Sequence, residues 1–213
     1  MIDIRDPTGF AVLQKFISNI RLIKDIINKL SFFTIKLKNI INTIGKMINE
    51  NLNIVFLESP IGILKISGDR EGIVHLTFCD KMGEEDPTDV LTNCRQQLIE
   101  YFNKERQQFL IPVKLSGTDF QKEVWREVSN IPYGKTISYS EIAKILGNIK
   151  KSRAVGMANS RNPIPIIIPC HRVTGSHGEL TGYSGGLERK KWLLEHEKES
   201  LQLSLFNGSF FKF

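Results

Sequence analysis

The sequence predicts an α+β protein in which a small sheet unit precedes a helical one. Alternating apolar residues recur in short runs between residues 53 and 79, and from Thr118 onward apolar residues at helical spacing follow helix-capping pairs. The chain has 213 residues, enough for one large or two small domains. Its composition, 41% hydrophobic and 24% charged, is that of a globular protein and excludes a collagen-like or fully disordered chain.

Residues 1–46 form a basic extension for which we expect helical structure. Apolar side chains recur every three or four residues between Phe10 and Leu30, and eight basic residues outnumber three acidic ones. Three interpretations remain open: a helical appendage that packs on the body, a helix that binds a partner or a membrane surface, and a stretch upstream of the natural start. Met47 lies just before the first strand and is a candidate start.

Residues 47–113 are expected to form the sheet unit. The segment is acidic, with eleven acidic and six basic residues. Val55, Leu57, Leu64 and Ile66 alternate along the chain as in a half-buried sheet, and turn-forming residues separate the apolar runs. The predicted elements are strands at Asn53–Glu58, Gly62–Ser67 and Gly72–Cys79 and a helix at about Pro87–Asn103.

The cysteines argue against a metal or disulfide scaffold. Cys79, Cys94 and Cys170 are widely separated, and no pair has the spacing of zinc ligands. We therefore expect no metal site, and a cytoplasmic location fits best because thiols stay reduced there. The sequence contains neither a signal peptide nor an apolar run of about 18 residues, so a membrane span is not expected.

Residues 114–198 are predicted to be helical and basic, with fourteen basic and eight acidic residues. Two pairs have the spacing of capping boxes, in which two side chains satisfy free N–H groups at a helix start. They are Thr118 with Gln121 and Ser138 with Glu141. A further helix is predicted from about Lys150 to Asn159, after a turn at Gly147. The two short helices are a helix-turn-helix candidate, and the positive charge suits a polyanion such as nucleic acid.

The most informative stretch ends in Cys170 and His171. Three prolines between residues 163 and 169 exclude a helix, and the isoleucines between them favour burial. A rigid, buried loop would hold the Cys170 thiol in one place. Since only the thiolate is nucleophilic, a proton acceptor must lie near, and a carboxylate behind the imidazole would stabilise its charged form. Glu195 and Glu197 are the candidates. The alternative is a structural cysteine beside a surface histidine.

Contiguous motifs carry a resemblance to a known family. They are Arg153-Ala-Val-Gly-Met-Ala, Asn162-Pro-Ile-Pro-Ile-Ile-Ile-Pro-Cys-His-Arg-Val, Gly182-Tyr-Ser-Gly-Gly-Leu and Lys190-Lys-Trp-Leu-Leu-Glu-His-Glu. With these motifs the chain resembles, over residues 53–198, the O6-alkylguanine-DNA alkyltransferases. The resemblance implies an RNase H-like domain at 47–113 and a winged helix-turn-helix-like alkyl-acceptor domain at 114–198. It also implies direct reversal of DNA damage by a suicide enzyme without a cofactor.

The implied reaction transfers an alkyl group from O6-alkylguanine to Cys170 after the base flips out of the duplex. O4-alkylthymine is a weaker candidate substrate. By resemblance, His171 would draw the thiol proton through a water, Glu197 would polarise His171, and Asn162 would brace the loop and that water. The implied base contacts are Tyr139, the Cys170 and Val173 carbonyls, a wall of Tyr183, Ser184 and Gly185, and nearby Lys190.

The implied partner is double-stranded DNA, bound through the minor groove by a monomer without membrane contact. Arg153 would fill the space of the flipped base. The other candidate DNA contacts are Lys151, Ser152, Ala154 and Gly156. Residues 199–213 form an apolar tail outside the resemblance, and Gln202–Phe206 resembles the peptide by which bacterial repair proteins bind the sliding clamp. Alternatively, the tail folds back on the body.

Two other functions remain open from the residues alone. A Cys-His-Glu hydrolase would turn over small esters or amides without DNA. A helix-turn-helix sensor would bind alkylated DNA without repairing it. The combination of Tyr139, Arg153 and Cys170 favours repair over both.

Overall fold

A computed structural model describes the backbone of residues 52–209 and the side chains of residues 52–201. The predicted helical extension at 1–46 and the side chains of the clamp-like peptide Gln202–Phe206 lie outside these residues. The residues from Leu52 onward cluster as one unit. It contains a small sheet unit followed by a helical part, which confirms the predicted α+β combination of these two parts.

The sheet is antiparallel, in the order β1-β2-β3. Its strands are β1 Asn53–Ser59, β2 Gly62–Gly68 and β3 Ile73–Cys79, each within one residue of its predicted bounds. The alternation of apolar residues selects the register, in which Val55 pairs with Ile66 and Leu57 with Leu64. All four of these side chains are buried.

Helix α1, Asp89–Phe102, covers the inner face of this sheet. It begins after Thr88, whose side-chain oxygen accepts from the Leu91 N–H, as expected of an N-cap. Leu91, Leu98 and Tyr101 recur at helical spacing and are fully buried. This helix lies within two residues of the prediction.

The helical part confirms both predicted capping boxes. Thr118 and Gln121 cap α2, Asp119–Ser129, and Ser138 and Glu141 cap α3, Tyr139–Ile145. After α3 the chain turns at Gly147, whose φ of 82° suits glycine. A short 3-10 turn then leads into α4, Ser152–Ser160.

The helical part is completed by two short strands and a long last helix, and one backbone hydrogen bond joins it to the sheet unit. Strands β4, Ile137–Ser138, and β5, Val173–Thr174, pair in parallel, and α5 spans Leu187–Ser209. The Leu76 N–H of β3 donates to the Pro163 carbonyl at 2.9 Å. The sheet unit therefore touches the loop that precedes Cys170. Within the described part of the chain, no helix has the length and apolarity needed to cross a membrane.

Candidate active site

The loop before Cys170 is held by its own residues. Asn162 Oδ1 accepts from the Ile164 N–H at 3.0 Å, and Asn162 Nδ2 donates to the Ile168 carbonyl at 2.8 Å. Ile166 has a φ of 74°, a left-handed conformation that costs a β-branched residue on the order of 1–3 kcal/mol. Complete burial of its side chain holds it there. The loop therefore presents Cys170 in a fixed position.

Cys170 begins a 3-10 turn that ends at Arg172, and it is only 2% exposed. Its carbonyl accepts from Asn159 Nδ2 at 3.2 Å. Burial raises the pKa of the thiol to about 11, although a hydrogen bond from Asn162 and the charge of Lys190 act in the opposite direction. The thiol is therefore protonated at neutral pH, and nucleophilic attack requires a proton acceptor.

His171 and Glu197 form a fully buried pair, with 2.7 Å between His171 Nε2 and Glu197 Oε1. Burial lowers the pKa of His171 and outweighs the opposing effect of Glu197. In the neutral ring, the carboxylate selects the tautomer with the proton on Nε2. Nδ1 then has a free lone pair, and this buried atom has no hydrogen-bond partner among the described residues. His171 is therefore arranged to accept a proton at Nδ1.

Glu197 stays ionised because three further described residues donate to it besides His171. Tyr101 Oη lies 2.9 Å from Oε1, the Gly134 N–H lies 2.8 Å from Oε2, and the Arg172 guanidinium contacts both oxygens at 2.9–3.2 Å. Burial disfavours the charge, but the hydrogen bonds from His171 and Arg172 and the charge of Arg172 outweigh it and lower the pKa of Glu197 to about 2. The carboxylate is thus charged at every physiological pH.

Lys190 is a buried cation near the thiol. Its Nζ donates to the carbonyls of Val173 at 2.6 Å and Thr181 at 2.8 Å. Burial lowers its pKa to about 8, against the influence of Cys170. Tyr139, the first residue of α3, donates its hydroxyl to the same Thr181 carbonyl at 3.1 Å. Lys190 therefore joins β5, the 181–186 loop and Tyr139.

The three predicted wall residues, which lie in the 181–186 loop, differ in how far they are buried. The Tyr183 hydroxyl is buried without a hydrogen-bond partner in the described chain, and burial raises its pKa well above the usual range. Gly185 is buried, and a Cβ there would lie 2.6 Å from the Phe78 ring and 2.7 Å from Tyr183. Only glycine fits this position. Ser184, between them, is exposed.

The predicted DNA contacts lie on α4 and just before it. Arg153 and Lys151 are exposed, whereas Ser152 Oγ donates to the Ile149 carbonyl at 2.6 Å. Ala154 is partly exposed. Gly156 faces the Tyr139 ring, which a Cβ would approach to 3.8 Å. The start of α4 therefore presents cationic side chains, and its middle contacts the tyrosine.

The structure brings together the predicted reaction centre but separates the two candidate carboxylates. Cys170, His171, Asn162 and Glu197 lie in one contact network, with Lys190 and Tyr139 beside it. Glu195 is exposed and contacts Lys191 at 4.0 Å instead.

Sequence reasoning missed four residues of this network: Tyr101, Gly134, Asn159 and Arg172. Arg172 directly follows His171 in the motif, so its position was a signal. Asn159 lies three residues before Asn162, but nothing in its own pattern indicated a contact to Cys170. Tyr101 is 96 residues away from Glu197 in the sequence, and no local pattern could connect them.

Comparison with known proteins agrees with this geometry. The ribonuclease-like domain of 6-O-methylguanine DNA methyltransferase matches residues 54–115, and the DNA-binding domain of the same family matches residues 119–199. The methylated-DNA–protein-cysteine methyltransferase of Methanosarcina barkeri is 46% identical over 153 residues, covering 68% of this chain and 97% of the relative. That of Methanosarcina acetivorans is 48% identical over 147 residues, covering 66% and 94%.

Solved structures show the same likeness. The O6-methylguanine methyltransferase of Mycobacterium tuberculosis is 42% identical, has a TM-score of 0.65, and is matched over 73% of this chain and 99% of its own. A crystal structure of Mycobacterium tuberculosis OGT in complex with DNA is 43% identical, with a TM-score of 0.63 and coverage of 68% and 92%. On these matches, which run through both parts of the fold, the chain belongs to the 6-O-methylguanine DNA methyltransferase family.

Proposed function

We propose that this protein repairs DNA by transferring a methyl group from O6-methylguanine to Cys170, once per molecule. The observation that carries the proposal is a buried thiol followed by a buried His171–Glu197 pair whose free ring nitrogen can accept a proton. The curated relatives are methylated-DNA–protein-cysteine methyltransferases, a name that describes this reaction.

The reaction begins with proton transfer. The Cys170 thiol gives its proton, through a water, to Nδ1 of His171, and Glu197 stabilises the resulting imidazolium from the Nε2 side. The sulfur then bonds to the methyl carbon while the bond between that carbon and guanine O6 breaks. The electron pair stays on the guanine, which takes up one proton; this is the equivalent of the proton that Cys170 gave up, returned through water from His171, whose ring becomes neutral again. The products are S-methylcysteine and unmodified guanine, so atoms and charges balance.

The guanine is a reluctant leaving group, so donors must stabilise its developing charge. Tyr139 and Ser184 are the proposed donors, and the Tyr139 hydroxyl would turn from the Thr181 carbonyl to the guanine when the base enters. The proposed acceptors for the guanine amino group are the carbonyls of Cys170 and Val173. The Cys170 carbonyl accepts from Asn159 Nδ2 and from the Val173 N–H, and the Val173 carbonyl accepts from Lys190 Nζ. Since a carbonyl oxygen has two lone pairs, the Val173 carbonyl can also accept from the amino group, whereas on Cys170 the amino group would replace one of these donors.

Burial of the thiol requires the base to leave the duplex. Because Cys170 is 2% exposed, a stacked base cannot reach it, and the guanine must flip into the site. In this proposal α4 enters the minor groove. Arg153 fills the space that the flipped base leaves in the duplex. Lys151 and Ser152 contact the DNA backbone, and the small residues Ala154 and Gly156 let α4 approach the DNA closely. The DNA complex of the Mycobacterium tuberculosis relative supports DNA as the partner.

The finer organisation is part of the same proposal. Residues 47–113 would be RNase H-like and residues 114–198 winged helix-turn-helix-like, in a cytoplasmic monomer. O4-alkylthymine is the second candidate substrate.

Because a thioether is chemically inert to the side chains of this site, each molecule acts once.

Intact mass measurement tests the function. The protein is mixed with a duplex that contains O6-methylguanine. We expect a single methyl gain that maps to Cys170, is absent in Cys170→Ser and persists in the matched control Cys79→Ser. Binding without a mass change would indicate a damage sensor instead. Repeated turnover of an ester by unlabelled protein would indicate a hydrolase.

We also propose that Gln202–Phe206 binds the sliding clamp. The support is the resemblance of this peptide alone, and its apolar anchors would be Leu205 and Phe206. A pull-down with purified clamp should lose binding in Leu205→Ala and in Phe206→Ala. Binding that is unchanged in both variants would remove the proposal.

A further inference from the structure

The sheet unit contributes one side chain to the reaction centre. Tyr101, in the last turn of α1, donates its hydroxyl to Glu197 Oε1 at 2.9 Å, and both side chains are fully buried. The same oxygen accepts from His171 at 2.7 Å. We propose that Tyr101 is a positioning residue that acts through Glu197 to keep His171 neutral and ready to accept the thiol proton. This inference rests on the proposed function.

The packing around Tyr101 keeps its hydroxyl on Glu197. Its ring packs edge-on against Tyr133 at 6.0 Å and lies 5.5 Å from the Phe109 ring. Its backbone carbonyl lies 2.9 Å from His196 Nε2, so α5 contacts both the side chain and the backbone. A tyrosine held at two points has little freedom to leave the carboxylate. The contact between α1 and α5 therefore determines the direction of this donor.

The hydrogen bond changes how much negative charge His171 experiences. Glu197 Oε1 is shared by Tyr101, His171 and Arg172, while Oε2 is shared by Gly134 and Arg172. Each donor takes up part of the carboxylate charge. The fewer the donors, the more strongly the carboxylate stabilises an imidazolium. Loss of the Tyr101 hydroxyl should therefore raise the proton affinity of His171.

The other charged and titratable groups near His171 and Glu197 each affect how readily His171 is protonated. Arg172 and Lys190 disfavour protonation of His171, and Glu197 favours it. Burial and the Glu197 charge raise the pKa of Tyr101 well above its usual range, so Tyr101 remains a neutral donor. Tyr133 lies beside Tyr101 but does not bond to Glu197. Cys170 is the group whose proton His171 receives.

The pH dependence of methyl transfer distinguishes this role from a purely structural one. The transfer rate of wild-type protein should fall at acidic pH as His171 becomes protonated. In Tyr101→Phe, the midpoint of this fall should move up by about half a pH unit to one unit, and the rate below the midpoint should fall about three- to tenfold. Well above the midpoint, where the ring is neutral in both proteins, Tyr101→Phe should transfer at least as fast as the wild type, because a more basic His171 accepts the Cys170 proton more readily. A defect in folding alone would lower the rate at every pH.

Tyr133→Phe is the matched control, because it removes a neighbouring hydroxyl that does not contact Glu197. Its midpoint should equal that of the wild type. Single-turnover transfer is measured by intact mass on an O6-methylguanine duplex between pH 5 and 8, with thermal melting at each pH. Equal midpoints for wild type and Tyr101→Phe would overturn the inference, and so would equal shifts in both variants.

A second variant covers the case in which Tyr101→Phe does not fold. Site-specific 3-fluorotyrosine at position 101 makes the hydroxyl a stronger donor with almost no change in size. The midpoint should then move down in pH, opposite to the Tyr101→Phe effect, and an unchanged midpoint would overturn the inference. The proposed function fails only if wild-type protein transfers no methyl group, so the two failures are distinguishable.

Discussion

Removing the proton acceptor should make methyl transfer strongly dependent on pH. The variant His171→Gln keeps an amide that can donate to Glu197 and fills most of the space, but it cannot take the Cys170 proton. The thiol must then ionise into solvent. Because its pKa is raised to about 11 by burial, only about one thiol in ten thousand is ionised at pH 7. This corresponds to a cost of about 5 kcal/mol for forming the thiolate unaided.

The transfer rate of His171→Gln should rise with pH, because the pKa of the Cys170 thiol is raised. Below pH 11, each pH unit raises the thiolate fraction about tenfold, so the rate of His171→Gln should rise about tenfold per unit between pH 7 and 9. Wild-type protein should show little change there, because the pKa of His171 is lowered and its ring is already neutral. The deficit of the variant should therefore be large at pH 7 and shrink about a hundredfold by pH 9.

Rapid-quench single-turnover transfer, read by intact mass on an O6-methylguanine duplex, measures this slope. His177→Gln is the matched control, since the His177 side chain is 88% exposed and, among residues 52–201, pairs only with Glu179. It should follow the wild type at every pH. A deficit of His171→Gln that stays constant from pH 7 to 9, in protein that melts normally, would refute proton withdrawal by His171.

Three other predictions concern the DNA face, the wall and the buried carboxylate. Arg153→Ala should slow transfer from a duplex more than transfer from the free methylated base, because no flipping is needed there; equal losses would contradict its role. Gly185→Ala should destabilise the fold by about 1–3 kcal/mol in urea unfolding because its Cβ would meet Phe78 at 2.6 Å, whereas Gly83→Ala, with ordinary 3.5 Å contacts, should not. The pKa of Glu197, lowered from 4.5 to about 2, contributes roughly 3 kcal/mol of stability above pH 4.5 that is lost as pH falls toward 2. Urea unfolding at pH 6, 4 and 2.5 should show this loss in wild type and a smaller one in Glu197→Gln.

The strands and the helix starts were predictable because each is indicated by residues only a few positions apart in the sequence. A capping box needs only residues three positions apart, and both predicted boxes form. The strands of the sheet follow from alternation and turn residues, and they begin and end within one residue of the expected positions. The candidate thiol was also predictable from local signals, since three prolines and a Cys-His pair mark one loop.

The carboxylate behind His171 was not predictable from the residues alone. Glu195 and Glu197 lie two positions apart on one helix, about 200° around its axis, so only one of them can face the core. The orientation of α5 decides which, and it places Glu197 at His171 and Glu195 in solvent. Periodicity of the surrounding residues was too weak to choose between them, and only the motif resemblance favoured Glu197.

By itself, the sequence determined the order of sheet and helices, the position of the reactive loop and the motifs of the family, because each depends on residues close together in the chain. The tertiary structure alone decided that Tyr101, Gly134 and Arg172 meet on one carboxylate. A buried charge must be paired or hydrogen-bonded to persist, and the donors that satisfy it come from whichever segments the fold packs against it.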